Sequence, residues 1–222
     1  MRATQPKLGE AVLNKYARAF FSRVMRPIAA LLVRAGVSPD VVTLIGTAGV
    51  IAGALWLYPQ GQFFWGTMWI TGFVFADMID GNMARITQRS SIWGAYLDST
   101  MDRFGDAAIF AGLAMWWAGG GHNRALCALA IYNLAAGSLV SYTRARAESL
   151  DMQGTVGMAE RADRLVAVLV ATGFNGIGVP YVLTVALVLV GLASTVTYTQ
   201  RILFVRKQAL DIDARAARGA VS

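Results

Sequence analysis

Charge is scarce in this chain, and the scarcity sets the first bound. Only 15% of the 222 residues are charged, while 56% are hydrophobic. An ordinary soluble domain carries about 25% charged residues, so the apolar surplus needs a neighbour other than water, and lipid is the simplest one. Cysteine is nearly absent. Cys127 stands alone in an apolar stretch, which rules out an internal disulfide and implies no oxidising compartment; it reads as a packed or lipid-facing residue. Histidine is equally rare: His122 follows Gly119, Gly120 and Gly121 in a short loop and is assigned no role. A clean hydrophobic run is missing from the start, where Lys15, Arg18, Arg23 and Arg26 interrupt the first apolar-rich segment, so it does not read as a cleaved signal peptide. Internal repeats and low-complexity linkers are also missing. The net charge is +7, but the basic residues cluster beside apolar stretches, which argues against nucleic acid as a partner.

What is present is helical periodicity. Over residues 10–35, Leu13, Tyr16, Ala17, Phe20, Phe21, Val24 and Ile28 fall on one face, while Lys15, Arg18, Ser22 and Arg26 tend to the other. This predicts an amphipathic helix lying on an anionic leaflet, with an ordinary helix packed on the protein as the plainer alternative. Gly36 ends it, and Ser38-Pro39 starts the next helix. Six apolar segments follow, roughly at 40–58, 63–86, 91–118, 124–147, 160–178 and 180–204. Each is near the ~20 residues that an α-helix needs to cross ~30 Å of hydrocarbon. The expected architecture is therefore all-α and integral to the membrane: an interfacial amphipathic segment at 1–36, six transmembrane helices forming a catalytic domain at 37–206, and a cytoplasmic tail at 207–222, frayed from residue 211. Basic residues crowd one side of these segments, including Arg85, Arg89, Arg144, Arg146, Arg161, Arg164, Arg201 and Arg206, whereas only Arg124 lies near the other. The positive-inside rule then makes both termini cytoplasmic, at the cell (inner) membrane.

Within the apolar background stands an acidic series. Asp77 and Asp80 are three residues apart and Asp98 and Asp102 four apart, so each pair shares one helix face. The pairs end the second apolar segment and begin the third, and the short connection between those segments lets the four carboxylates converge. Each aspartate near a span centre costs ~2.5–3.5 kcal/mol even on lenient scales, so something cationic belongs among them. Four carboxylates balance two divalent cations, and hard oxygen ligands suit Mg²⁺ or Mn²⁺. Such a two-metal site suits in-line displacement at phosphorus, with a neighbouring carboxylate taking a proton from an attacking hydroxyl. Gly81 and Ala84 leave room beside the helix, and Arg85 can pair with phosphate or with an aspartate. On spacing alone an ion path in a cation transporter remains an alternative; a non-catalytic scaffold does not account for the series.

The full run is Asp77-x₂-Asp80-Gly81-x₂-Ala84-Arg85-x₈-Gly94-x₃-Asp98-x₃-Asp102. It resembles the signature of the CDP-alcohol phosphatidyltransferases at every specified position, and Ser38-Pro39-Asp40-Val41-Val42-Thr43 resembles that family's entry to its first helix. The resemblance covers most of residues 10–205. It implies six transmembrane helices behind an amphipathic N-terminal helix, usually as a homodimer, and transfer of a phosphatidyl group from CDP-diacylglycerol to an alcohol with release of CMP. It further implies that Asp77, Asp80, Asp98 and Asp102 bind two divalent cations, that Asp102 is the general base, and that Asp80, Gly81, Ala84 and Arg85, with Thr87, line the CDP-diacylglycerol site. Asp106 continues the ladder outside the signature and is expected to hold Arg103 or a neighbouring polar group.

The signature does not name the acceptor. Arg144, Arg161, Arg164 and Arg201 all fall on the basic side and form an expected anion pocket for an acceptor carrying its own phosphate, although the positive-inside rule would place arginines there in any case. Ser141-Tyr142-Thr143-Arg144-Ala145-Arg146-Ala147-Glu148, Glu160-Arg161-Ala162-Asp163-Arg164 and Gln200-Arg201 look like the family's bacterial phosphatidylinositol-phosphate synthases. That implies inositol 1-phosphate (1D-myo-inositol 3-phosphate) as acceptor, with a phosphatidylglycerophosphate synthase as the alternative within the family.

Overall fold

The computed structural model describes residues 27–87, 91–157 and 160–219, with side chains except at 75–78, 80–82, 84, 85 and 87. Among the described residues all regular structure is helical. Helix α1 covers residues 27–34. It is followed by α2 (Pro39–Trp56), a 3₁₀ turn (Tyr58–Gln60), α3 (Phe63–Thr87), α4 (Ile92–Ala118), α5 (Arg124–Glu148), α6 (Arg161–Gly176) and α7 (Val182–Gly219). The first five apolar segments read from the sequence coincide with α2–α6 to within two residues, and the sixth covers only the first part of α7. Most of the expected N-terminal amphipathic helix lies outside the described residues.

Local chemistry sets the helix ends. At the end of α1, Gly36 adopts φ +75°, its N–H reaches the Val33 carbonyl at 3.1 Å, and the Val37 N–H reaches the Leu32 carbonyl at 3.0 Å. This is the Schellman arrangement, which needs a left-handed residue and so favours glycine. Helix α2 then opens on Pro39, whose missing N–H costs nothing at a first helical position, with Asp40 in its first turn. Asn123 starts α5 by accepting the Leu126 N–H at 3.1 Å, as an N-cap does.

Among the described residues, three stretches are long and apolar enough to cross a membrane by length and composition: Pro39–Gln60, Arg124–Glu148 and Val182–Arg218. The other three helices differ for physical reasons. The acidic series occupies the end of α3 and the start of α4 and lowers their apolarity. Helix α6 has 16 residues, roughly 24 Å at the α-helical rise, against ~30 Å of hydrocarbon. Helix α7 departs in the other direction. Its 38 residues amount to roughly 57 Å, and it continues to Gly219 where a frayed end was expected. Alanine, leucine and arginine dominate residues 209–218 and are strong helix formers, and Asp211 stands four residues before Arg215, a spacing that stabilises a helix.

The chain divides into two compact units: Met1–Val50 with Thr71–Phe104, and Ile51–Ile70 with Gly105–Ser222. In the described part of the first, Ala29, Val42 and Met83 form a buried cluster, with Leu32, Val33, Val37 and Ile79 packed against it. In the second, Ile109, Leu113, Val168, Leu183 and Leu187 are fully buried, together with the polar Asn133, Thr172, Ser194 and Thr197. Asn133 joins α5 to α7, its Nδ2 donating to the carbonyls of Leu129 and Leu187 at 2.9 and 3.0 Å. Along α7 the outer stripe of Val185, Leu189, Leu192 and Val196 is exposed while Ser194, Thr197 and Arg201 are buried. Polar and small residues inside and large apolar ones outside is the pattern of a helix whose surroundings are as apolar as its own side chains.

Candidate active site

The acidic series lies in the first unit. Helix α3 carries Asp77, Asp80, Gly81, Ala84, Arg85 and Thr87 on its last turns; their side chains lie outside the described residues. Ser91 begins α4, its Oγ accepting the Gly94 N–H at 2.8 Å, which brings the signature glycine into the first turn and Asp98 into the second. Asp98 is exposed and Asp102, one turn on, is half-buried and engaged with its surroundings. Among the described residues no three potential metal ligands gather; Asp77 and Asp80, half of the expected set, are not among them. The described half fits a hard divalent cation. Two carboxylates share one helix face, one of them open to solvent, and all their donor atoms are oxygen.

The arginines expected to take the acceptor phosphate all lie in the second unit, and each has a partner. Arg161, at the start of α6, holds Asp106 of α4: its Nε donates to both carboxylate oxygens at 3.1 Å and its Nη2 lies 3.0 Å from Oδ1. Asp106 therefore serves an arginine 55 residues away in sequence rather than Arg103. Arg144 pairs with Glu148 one turn along α5 at 2.8 Å, both about half exposed. Arg164 and Arg201 are each 5% exposed and turn towards backbone carbonyls. Arg164 Nη2 lies 3.5 Å from the Gly137 carbonyl. Arg201 donates through Nε to the Val156 carbonyl at 2.7 Å and through Nη1 to the Val140 carbonyl.

The α6 terminus is built to present Arg161. The Glu160 N–H donates to Asp163 at 3.2 Å, forming part of a capping box. Arg161 and Arg164, three residues apart, share a face beside the positive end of the helix. The carboxylates Asp106, Glu148 and Glu160 were not singled out from sequence as members of this cluster. Two carry a local signal: Glu148 sits four residues after Arg144, and Glu160 opens a capping box. Asp106 was expected to hold Arg103 or a neighbouring polar group; that its partner is Arg161 had no local signal, because Arg161 is on another helix.

Residues 36–196 match the family model of the CDP-alcohol phosphatidyltransferases. The chain belongs to that family. This phosphatidyltransferase is 56% identical, over 97% of its own length and 91% of the relative's, to the phosphatidylinositol phosphate synthase of Streptomyces avermitilis. Its structure is similar to that of Mycobacterium tuberculosis phosphatidylinositol phosphate synthase (PgsA1) with CDP-DAG bound, with a TM-score of 0.79 and 40% identity over 82% of this chain and 94% of that one. The same protein in complex with manganese and citrate aligns with a TM-score of 0.79, over 82% of this chain and 88% of that one. The acidic series of this phosphatidyltransferase thus falls within the matched region, as do three of the four arginines expected to take the acceptor phosphate; Arg201 lies just beyond it.

Proposed function

We propose that this membrane protein transfers the phosphatidyl group of CDP-diacylglycerol to inositol 1-phosphate (1D-myo-inositol 3-phosphate), giving phosphatidylinositol phosphate and CMP. One observation carries the choice of acceptor: the 56% identity, over 97% of the chain, to a phosphatidylinositol phosphate synthase. The presence of all four arginines in one compact unit supports it, because an acceptor with its own phosphate needs an anion pocket.

In this reading Asp77, Asp80, Asp98 and Asp102 hold two divalent cations, Mg²⁺ or Mn²⁺, which supply charge neutralisation at the diphosphate. The Asp102 carboxylate takes the proton of the attacking inositol hydroxyl. Asp80, Gly81, Ala84, Arg85 and Thr87 line the CDP-diacylglycerol site, where a glycine and an alanine admit the nucleotide close to α3 and Arg85 pairs with phosphate. Arg144 and Arg161 reach the acceptor phosphate by exchanging their carboxylate partners for it, while Arg164 and Arg201, anchored on carbonyls, keep the pocket positive from beneath. The six helices α2–α7 span the membrane behind an N-terminal amphipathic helix, with both termini and the site on the cytoplasmic face, and the protein works as a homodimer.

The test is CMP release by the purified protein given CDP-diacylglycerol, Mn²⁺ or Mg²⁺, and either inositol phosphate or glycerol 3-phosphate as acceptor. Inositol phosphate alone is expected to support turnover. Turnover with glycerol 3-phosphate instead would overturn the acceptor, and removal of the cations by EDTA is expected to abolish the reaction.

A further inference from the structure

The connection between α5 and α6 carries none of the family signature, yet α7 grips it at three heights. Farthest along, the side-chain amide of Gln208 pairs with the backbone of Gln153 through two bonds. The Gln153 N–H donates to Gln208 Oε1 at 3.0 Å, and Gln208 Nε2 donates to the Gln153 carbonyl at 2.9 Å. Seven residues earlier, Arg201 takes the Val156 carbonyl at 2.7 Å. Four residues earlier again, the Thr197 side chain fills the space beside Gly157. Spacings of four and seven put these residues on one helix face, spread over roughly 16 Å of its length. From the opposite side the connection lies against the end of α5. Gly154 is buried, and a β-carbon there would stand 3.0 Å from the Arg144 Cα.

The backbone bonding has the same logic. The N–H groups of Leu150, Asp151 and Met152 return to carbonyls at the end of α5. Beyond them, the Gln153 amide and the Gln153 and Val156 carbonyls are satisfied by α7 side chains rather than by secondary structure. A segment held this way has already lost the conformational freedom that a loop gives up when it closes on a ligand.

We infer that Gln208 is a positioning residue for the acceptor. The polar extension of α7 clamps residues 153–157 of the α5–α6 connection and thereby presets Arg144, on the last turns of α5 against which Gly154 packs, and Arg161, which opens α6, for the acceptor phosphate. This rests on the reading of those arginines given under the proposed function. Gln208 itself touches no substrate.

The experiment uses the full chain in lipid vesicles with Gln208→Met, which keeps side-chain length and removes both bonds, and Gln208→Glu, which keeps the acceptor oxygen and removes the donor. For Gln208→Met the KM for inositol phosphate is expected to rise about tenfold, the equivalent of two ordinary hydrogen bonds. The KM for CDP-diacylglycerol and kcat should stay within about twofold, and amide hydrogen exchange at residues 150–157 should quicken. Gln208→Glu is expected to fall between Met and wild type, and it decides the matter if the Met variant does not fold. An unchanged acceptor KM despite quicker exchange, or an equal rise in both KM values, would overturn the inference. If the wild-type protein instead turns over another phosphorylated alcohol, the acceptor assignment has failed, and the same KM split measured with that alcohol still decides the role of Gln208.

Discussion

The acidic half and the arginine half of this enzyme are built on opposite plans. The aspartates are a local device: two pairs at helical spacing, on consecutive helices, with Asp98 left exposed and one serine setting the register of α4. The arginines are a tertiary device drawn from α5, α6 and α7, each held by a carboxylate or a carbonyl. In the proposed reading the difference follows from what each half binds. Clustered carboxylates repel one another and call for cations from outside, so they need only be spaced. Clustered guanidinium groups must stay apart and oriented without any ligand, so the protein supplies their counterparts itself. Two of the four arginines answer to carboxylates, which a phosphate can replace. Arg201 instead answers to the main-chain carbonyls of Val140 and Val156, which a phosphate replaces less readily, and Arg164 also reaches a carbonyl, that of Gly137.

Substitutions test this contrast. The largest effect is expected on the acidic side. Asp102→Asn should lower kcat by about 10²–10⁴, the range of general-base catalysis, while CDP-diacylglycerol binding largely survives; equal loss of binding would make Asp102 chiefly structural. On the arginine side, Arg161→Ala should lower kcat/KM for inositol phosphate roughly 10- to 100-fold, the worth of a charge-assisted hydrogen bond. Adding Asp106→Asn should recover part of that loss, because the first change leaves a carboxylate facing the phosphate. Strictly additive effects in this double-mutant cycle would show that Asp106 does not act through Arg161. The smallest effect is expected at the half-exposed pair: Glu148→Gln should change stability by less than about 1 kcal/mol in thermal unfolding and slightly lower the acceptor KM by freeing Arg144.

The same contrast explains what could be read before folding. Helix ends were legible where a cap residue announces them, as at Gly36 and Ser38-Pro39. The acidic series was legible because its chemistry demands a short, fixed spacing along one stretch of chain. The acceptor side was legible only as charge. The pairing of Arg161 with Asp106 and of Gln208 with Gln153 each joins residues 55 apart, and that of Arg201 with Val140 joins residues 61 apart. No periodicity records such contacts. The length of α7 was missed for a different reason: its last turns are polar and were read as a tail, although their alanines, leucine and arginines favour helix.

In the proposed topology, the unbroken α7 couples the enzyme to the thickness of its bilayer. A helix accommodates mismatch by tilting, and a rod without a hinge carries the tilt along its whole length. A tilt of about 10° displaces the Gln208 level relative to the Thr197 level by about 3 Å, comparable to the length of the bonds that Gln208 makes. In that topology lipid thickness reaches the α5–α6 connection mechanically, through a lever whose long arm lies in the acyl chains and whose short arm ends on the Gln208–Gln153 bonds.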